Sequence, residues 1–361
     1  MTFDALLRPP LLTPDLPGIG GRIKSIPEDF EVEEIPAYEP CGSGPYLFLW
    51  VEKRDMGAEY FKRQIAQRLG LAMGEVGMAG LKDRHAVTRQ MVSVPATVEN
   101  RLDTLEGEGI HVLNVSRHGN KLRTGHLRGN RFRILVRGPV PAALQGLETL
   151  LNRLRSEGMP NFYGPKRFGR DGETVVLGLA LLRNEPPPLP SSGRRFNLRS
   201  PFLRKLALSA VQSALFNHYL SCRLTDGLLL RVLPGDVMAK WPVGGLFVVE
   251  DVPREQFRFD DRTTVHTGPM FGRKTFPAAG EAARREEAVL RTAGIERTAF
   301  HAFCKLMQGT RRHNLVYLEG LDAEQEPAGV RLTFTLPAGS YATVVLREVM
   351  KADIRELDEE E

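Results

Sequence analysis

Cysteine is nearly missing from this chain. Cys41, Cys222 and Cys304 are the only three in 361 residues, too scattered for a disulfide framework or for the paired spacing of a zinc site. They fit a reducing compartment, so the cytoplasm is the expected location and no metal is expected. No apolar run approaches the roughly eighteen residues that span a bilayer, which argues against a membrane protein. The first residues, Met1-Thr2-Phe3-Asp4-Ala5-Leu6-Leu7, have neither the basic start nor the long apolar stretch of a signal peptide. No repeat of fixed period runs through the chain, which argues against a solenoid or propeller.

What is present is the composition of a globular protein, 42% hydrophobic and 26% charged, and the length suits two domains better than one. Net charge is only +5, so its distribution matters more than its total. From Arg117 to Arg137 there are seven basic residues (Arg117, Lys121, Arg123, Arg128, Arg131, Arg133 and Arg137) and no acid. This block reads equally as a phosphate-facing stripe or as an ordinary solvated strand and loop. The tail from Asp353 to Glu361 is acidic and reads as a frayed, solvated end.

Patterning places the elements. Phe30–Ile35 and Tyr46–Val51 read as early strands. Phe61, Ile65 and Leu69 recur at helical spacing inside a helix over 57–71. In Asn130–Arg137 alternation sets Asn130, Phe132, Ile134 and Val136 on one strand face and three arginines on the other. A helix over 141–156 carries the stripe Leu144, Leu147, Leu151 and Leu154, closed by Gly158 and Pro160. The next stretch differs in character, with a proline-rich linker at 186–193, a long helix near 201–224, a loop at Thr267–Gly272 and a charged helix over 280–293. Strand character returns at Val330–Leu336. The pattern is that of one domain inserted into another, with the first fold resuming near residue 310.

The segment richest in chemistry is Gly80-Leu81-Lys82-Asp83-Arg84-His85-Ala86-Val87-Thr88-Arg89-Gln90. It sets one carboxylate, Asp83, between two cations, which favour its ionised form. Such a carboxylate in a cleft can act as nucleophile or base; by residue types alone the same letters also describe a solvated charged turn. The segment resembles the central signature of the TruD family of pseudouridine synthases. Four further segments resemble the same family in the same order: Lys24–Glu34, Asn120–Phe132, Pro160–Gly169 and Leu336–Thr343.

The resemblance implies an α+β protein. Its pseudouridine synthase catalytic core is built on a mixed, largely antiparallel sheet over residues 1–158 and 309–361, interrupted by an inserted α/β domain over 159–308. It implies isomerisation of the uridine at position 13, in the D arm of tRNA, with no cofactor, by an enzyme expected to be a monomer. Asp83 matches the family's catalytic aspartate, attacking the ribose or removing a sugar proton. Phe30, Phe132 and Tyr341 match its aromatic positions around the base, Tyr341 standing where phenylalanine is expected. Asn130 matches a substrate-contacting asparagine, although it also suits the turn before a strand. Lys24 matches a position near the active site as a phosphate or carboxylate partner. His85 and His126 titrate in the useful range, but the family's chemistry is attributed to the aspartate. Asn161–Gly169 joins basic and aromatic residues and suits either RNA contact or a hinge. An RNA-binding or RNA-folding protein is the competing class of function.

Overall fold

A computed structural model describes residues 8–186, 200–303 and 305–352. The first seven residues, the prolines beyond Pro186, Cys304 and the acidic tail, all singled out above, lie outside the described residues. The chain divides into two compact units. One comprises Leu16–Arg155, Leu318–Ala342 and the chain from Val349 on; the other comprises Ser156–Tyr317, the residues up to Asp15, and Thr343–Glu348.

The first unit begins with β1 (Phe30–Pro36), β2 (Tyr46–Arg54), β3 (Gly77–Met78), β4 (Val87–Pro95), β5 (Ile110–His118) and β6 (Leu127–Arg137). The expected helical stripe is present: the helix Ala58–Leu69 starts after Gly57, stops at Gly70 in the left-handed conformation, and buries Phe61, Ile65 and Leu69. These side chains pack on Leu47, Leu49, Val51, Val92 and Val94, the inward residues of β2 and β4. The stretch expected as one helix from 141 is two elements. Pro141–Gly146 is a 3-10 turn and the α-helix is Leu147–Glu157. Pro141 opens the tight turn and Gly146 interrupts it, so Leu150 is buried with Leu147, Leu151 and Leu154, and Leu144 stays half-buried.

The second unit adds β7 (Met159–Pro160), β8 (Val237–Lys240), β9 (Leu246–Val248), β10 (Thr264–Met270), β11 (Thr310–His313) and β12 (Leu315–Val316). Four of these form an antiparallel sheet in the order β11-β10-β8-β9, and β7 pairs with β12. The long helix expected here is Pro201–Thr225, capped by Ser200, whose hydroxyl accepts from the Leu203 amide at 3.3 Å. The expected loop at Thr267–Gly272 is wrong for its first half. Thr267 to Met270 belong to β10, a central strand buried along its whole length. Gly268 is required by close approach: a Cβ there would stand 2.6 Å from Asn314 Oδ1 and 2.8 Å from the Phe216 ring. Tertiary packing overrides the turn-like composition.

Returning to the first unit, β13 (Glu319–Glu326) and β14 (Gly329–Pro337) complete its sheet. The order is β13-β14-β6-β1-β4-β2-β5, with β3 beside β4; β1 and β4 run parallel and the other pairs antiparallel. This is the mixed, largely antiparallel sheet that the sequence implies. No helix among the described residues is long and apolar enough to cross a membrane.

Candidate active site

Asp83 sits on the loop between β3 and β4, strands that pair with each other at Gly77–Ser93 and Met78–Val92 and so close the loop at its base. Two buried lysines brace it. Lys53, fully buried on the inward face of β2, donates to the Asp83 carbonyl at 2.7 Å and to the Met56 carbonyl. Lys82 turns into the interior, where its Nζ lies 2.6 Å from Glu34 Oε2, both side chains being buried. The other Glu34 oxygen accepts from the Met91 amide at 3.3 Å, at the point where β1 stops pairing with β4. Lys82 therefore does not serve as the cation beside Asp83 that its place in the sequence suggests.

That cation comes from Lys24. Its Nζ is 3.5 Å from Asp83 Oδ1, with the lysine side chain buried and the carboxylate one-third exposed. The same ammonium lies 4.6 Å from the centre of the Phe30 ring. Lys24 adopts φ of 56°, a left-handed backbone unusual for lysine. Its neighbours impose it. Arg22 and Arg137 exchange backbone hydrogen bonds on one side. On the other, buried Asp29 accepts from the Ile26 amide and takes the Arg137 guanidinium in a fork at 2.7 and 2.8 Å.

The strand register gathers the other expected residues. Val32 pairs with Phe132 and Phe132 with Phe334, so by alternation Phe30, Glu34, Asn130, Phe132, Phe334 and Leu336 share one face. Phe132 stacks on Phe334 at 5.3 Å between ring centres and meets Phe30 edge-on at 6.3 Å. Phe30 and Phe132 are 2% and 6% exposed, so the trio is packed as core, with only a margin of Phe132 open. Asn130 stands opposite Glu34 and Leu336, half-buried, and its Oδ1 is buried without a hydrogen-bond partner among the described residues. Tyr341 is half-buried on the loop that follows β14. The structure thus joins Lys24 to Asp83 and Phe30, and Phe30 to Phe132, with Asn130 next on the Phe132 face. The histidines are engaged elsewhere, His85 Nδ1 with Asp55 at 2.9 Å and His126 Nδ1 with the Tyr38 hydroxyl at 2.7 Å.

The opposite face of the sheet explains much of the basic block. Arg131 lies 3.4 Å from Glu33, Arg133 3.9 Å from Glu31, and Arg89 2.8 Å from Glu52. Arg117 pairs with Glu99 and Arg137 with Asp29. Arg123 is exposed, and Arg128 donates to the Pro36 carbonyl rather than to an acid. Residue reading alone missed Asp29, Glu34, Lys53, Lys82 and Phe334 as parts of this site. For Lys53 a signal existed, since it falls on the same alternating face of β2 as Leu47, Leu49 and Val51.

Known proteins share this chain along nearly its whole length. The family described as tRNA pseudouridine synthase D (TruD) matches residues 10–187 and 196–349. A protein of Anaeromyxobacter sp. (strain Fw109-5) named tRNA pseudouridine synthase D is 44% identical over 353 residues, covering 97% of this chain and 99% of its own. One of the same name from Thermus thermophilus is 43% identical over 97% of this chain and 95% of its own. The crystal structure of a putative tRNA pseudouridine synthase D from Methanosarcina mazei superposes with a TM-score of 0.79 at 25% identity, covering 98% of each chain.

Proposed function

This chain belongs to the TruD family of tRNA pseudouridine synthases, and from that premise we propose that it isomerises the uridine at position 13 in the D arm of tRNA with Asp83 as its catalytic residue. The reaction breaks the C1′–N1 bond and forms a C1′–C5 bond; C5 loses a proton and N1 gains one. Nothing is added or removed, so the reading needs no cofactor. The observation that carries it is the Lys24–Asp83 pair, a half-open carboxylate held against a buried cation beside an aromatic face.

Each neighbour has a part. The target nucleotide must leave its stack, at a cost of a few kcal/mol. Stacking on an aromatic surface offsets this by about 1–3 kcal/mol per base, supplied here by the open margin of Phe132 and by Tyr341. Asn130 Oδ1, buried without a donor among the described residues, is an acceptor suited to the uracil N3–H. Asp83 then attacks the ribose or removes its proton while Lys24 holds the carboxylate and Lys53 holds the loop. In this reading the catalytic core covers the sheet unit, and the unit around Ser156–Tyr317 is the insertion, gripping folded RNA by shape and phosphates. The enzyme acts as a monomer in the cytoplasm.

The test is pseudouridine mapping by chemical derivatisation and primer extension on unmodified tRNA. We expect a stop at position 13 with wild type and none with Asp83→Asn, which should still bind tRNA. A blank result with wild type on tRNA and on total RNA would replace the enzyme by an RNA-binding scaffold.

A further inference from the structure

A second concave site opens on the far side of the Asp83 loop. It is a cleft of about 440 Å³, within the range of small-ligand pockets. Its walls include Gly80 and Leu81 of the loop itself, Lys62 of the helix Ala58–Leu69, and Lys121 and Arg123 of the connection between β5 and β6. Across the neighbouring sheet, Arg89, Arg131 and Arg133 each face a glutamate. In the cleft, Lys121 donates to the Gly74 carbonyl, and no salt bridge ties Lys62, Lys121 or Arg123 to an acid among the described residues. Burial and the nearby Lys62 charge both push the Lys121 ammonium below its usual range, against the weaker pull of Glu75. Cations gathered in a concavity and left uncompensated raise the local concentration of anions. Glu59 is the one carboxylate on the wall among the described residues, and it is exposed.

The rim of the cleft is apolar. Leu81 is 73% exposed, a hydrophobic side chain held out to solvent two positions before Asp83. The loop that bears it is braced by Lys53 and Lys82, so the side chain stands on a fixed support. An apolar platform beside a cationic wall matches one chemical class, a nucleotide with a flat base and an anionic phosphate. The platform and the proposed catalytic carboxylate share one loop, so a strand presenting its target to Asp83 passes this cleft.

We propose that the cleft is a nucleotide subsite that seats the residue adjoining the target uridine, its phosphate among Lys62, Lys121 and Arg123 and its base against Leu81. This rests on the RNA substrate and Asp83 site proposed above. It assigns the subsite a role in binding and register rather than in the chemical step.

The test uses the full-length protein with Lys62→Ala and Arg123→Ala combined, since neither side chain is part of a salt bridge among the described residues. On unmodified tRNA the double variant is expected to raise KM about ten-fold, with kcat within two-fold of wild type. The slope of log affinity against log salt should fall by about 1.5–2, the release expected for two phosphate contacts. In parallel, tRNA carrying 4-thiouridine on either side of the target is cross-linked to Asp83→Asn protein and the attached peptide identified. Cross-linking to the Met78–Leu81 peptide from one flanking position supports the subsite. Unchanged KM and salt slope, or cross-links from both positions that avoid this peptide, would overturn it. If wild type makes no pseudouridine in any RNA, the catalytic reading fails, while cross-linking and the salt slope still decide whether the cleft binds nucleotides.

Discussion

Lys82 Nζ and Glu34 Oε2 lie 2.6 Å apart in the interior, tying the residue before Asp83 to the strand residue opposite Asn130. The pair spans two elements of the site, so its role extends to positioning. Removing one member of such a buried pair strands the other charge and costs about 3–5 kcal/mol, whereas replacing both by apolar groups is often close to neutral. Glu34→Gln should therefore destabilise the protein. The double variant Glu34→Met with Lys82→Met should regain most of that stability and still show kcat at least ten-fold below wild type. Urea unfolding beside single-turnover pseudouridine formation separates the two effects; a stable double variant with wild-type kcat would make the pair purely structural.

Phe132 has two roles to separate, because it is packed against Phe334 and Phe30 as well as lying beside the site. Phe132→Ala should lose about 3–5 kcal/mol of stability from the emptied core together with activity, and so cannot discriminate. Phe132→Leu keeps most of the volume and should cost only about 1 kcal/mol, yet it removes the ring. We expect kcat/KM to fall about ten-fold, the lower part of the range for one base–aromatic stack. A wild-type kcat/KM in this variant would leave stacking to Tyr341.

The basic block divides by its partners. Arg131 and Arg133 face Glu33 and Glu31 on the sheet face opposite Phe132, whereas Arg123 and Arg128 have no carboxylate in salt-bridge contact among the described residues. Arg123→Gln with Arg128→Gln should weaken tRNA binding and flatten its salt dependence by up to about two in log–log slope. Arg131→Gln with Arg133→Gln should leave that slope within about 0.3 of wild type. Filter binding across a salt series decides it, and equal flattening by both pairs would place RNA on both faces of the sheet.

These divisions also show where local sequence pattern stops. Alternation along Asn130–Arg137 places Phe132 and the arginines on opposite faces, because a strand encodes its two faces in its own residues. The helix stripe Phe61, Ile65 and Leu69 is legible for the same reason. The partner of Lys82 is not, since it depends on β1 running parallel to β4, a pairing between strands that are not consecutive in the chain. Lys24 likewise finds Asp83 only through a left-handed backbone set by Asp29 and Arg137. The motif resemblance points to most of the expected residues; it does not state which cation meets the carboxylate. In β10 the failure has the opposite origin, a Thr-Gly-Pro composition that reads as a turn until Phe216 and Tyr219 are found packed against Gly268.

His266 makes the stability of the second unit depend on pH. It is fully buried, its Nε2 donating to the Leu229 carbonyl at 2.7 Å and its Nδ1 facing the Asn314 amide at 2.8 Å, with the Phe259 ring stacked on it. Burial, aided by the Arg223 charge and opposed by Asp236, pushes its pKa down to about 3 from an ordinary 6.5. The folded state thus refuses a proton that the unfolded state accepts between those values. Stability is fully present above about pH 6.5 and is lost as pH falls toward 3, by up to about 1.4 kcal/mol per pH unit for this one site. His313, lowered to about 4 by burial and Arg312, acts in the same direction. His266→Gln should be less stable than wild type at pH 7.5 and should lose less on moving to pH 5, narrowing the gap. Urea unfolding at pH 7.5, 6 and 5 measures that gap, and a gap constant with pH would mean that His266 keeps its proton equilibrium unchanged on folding.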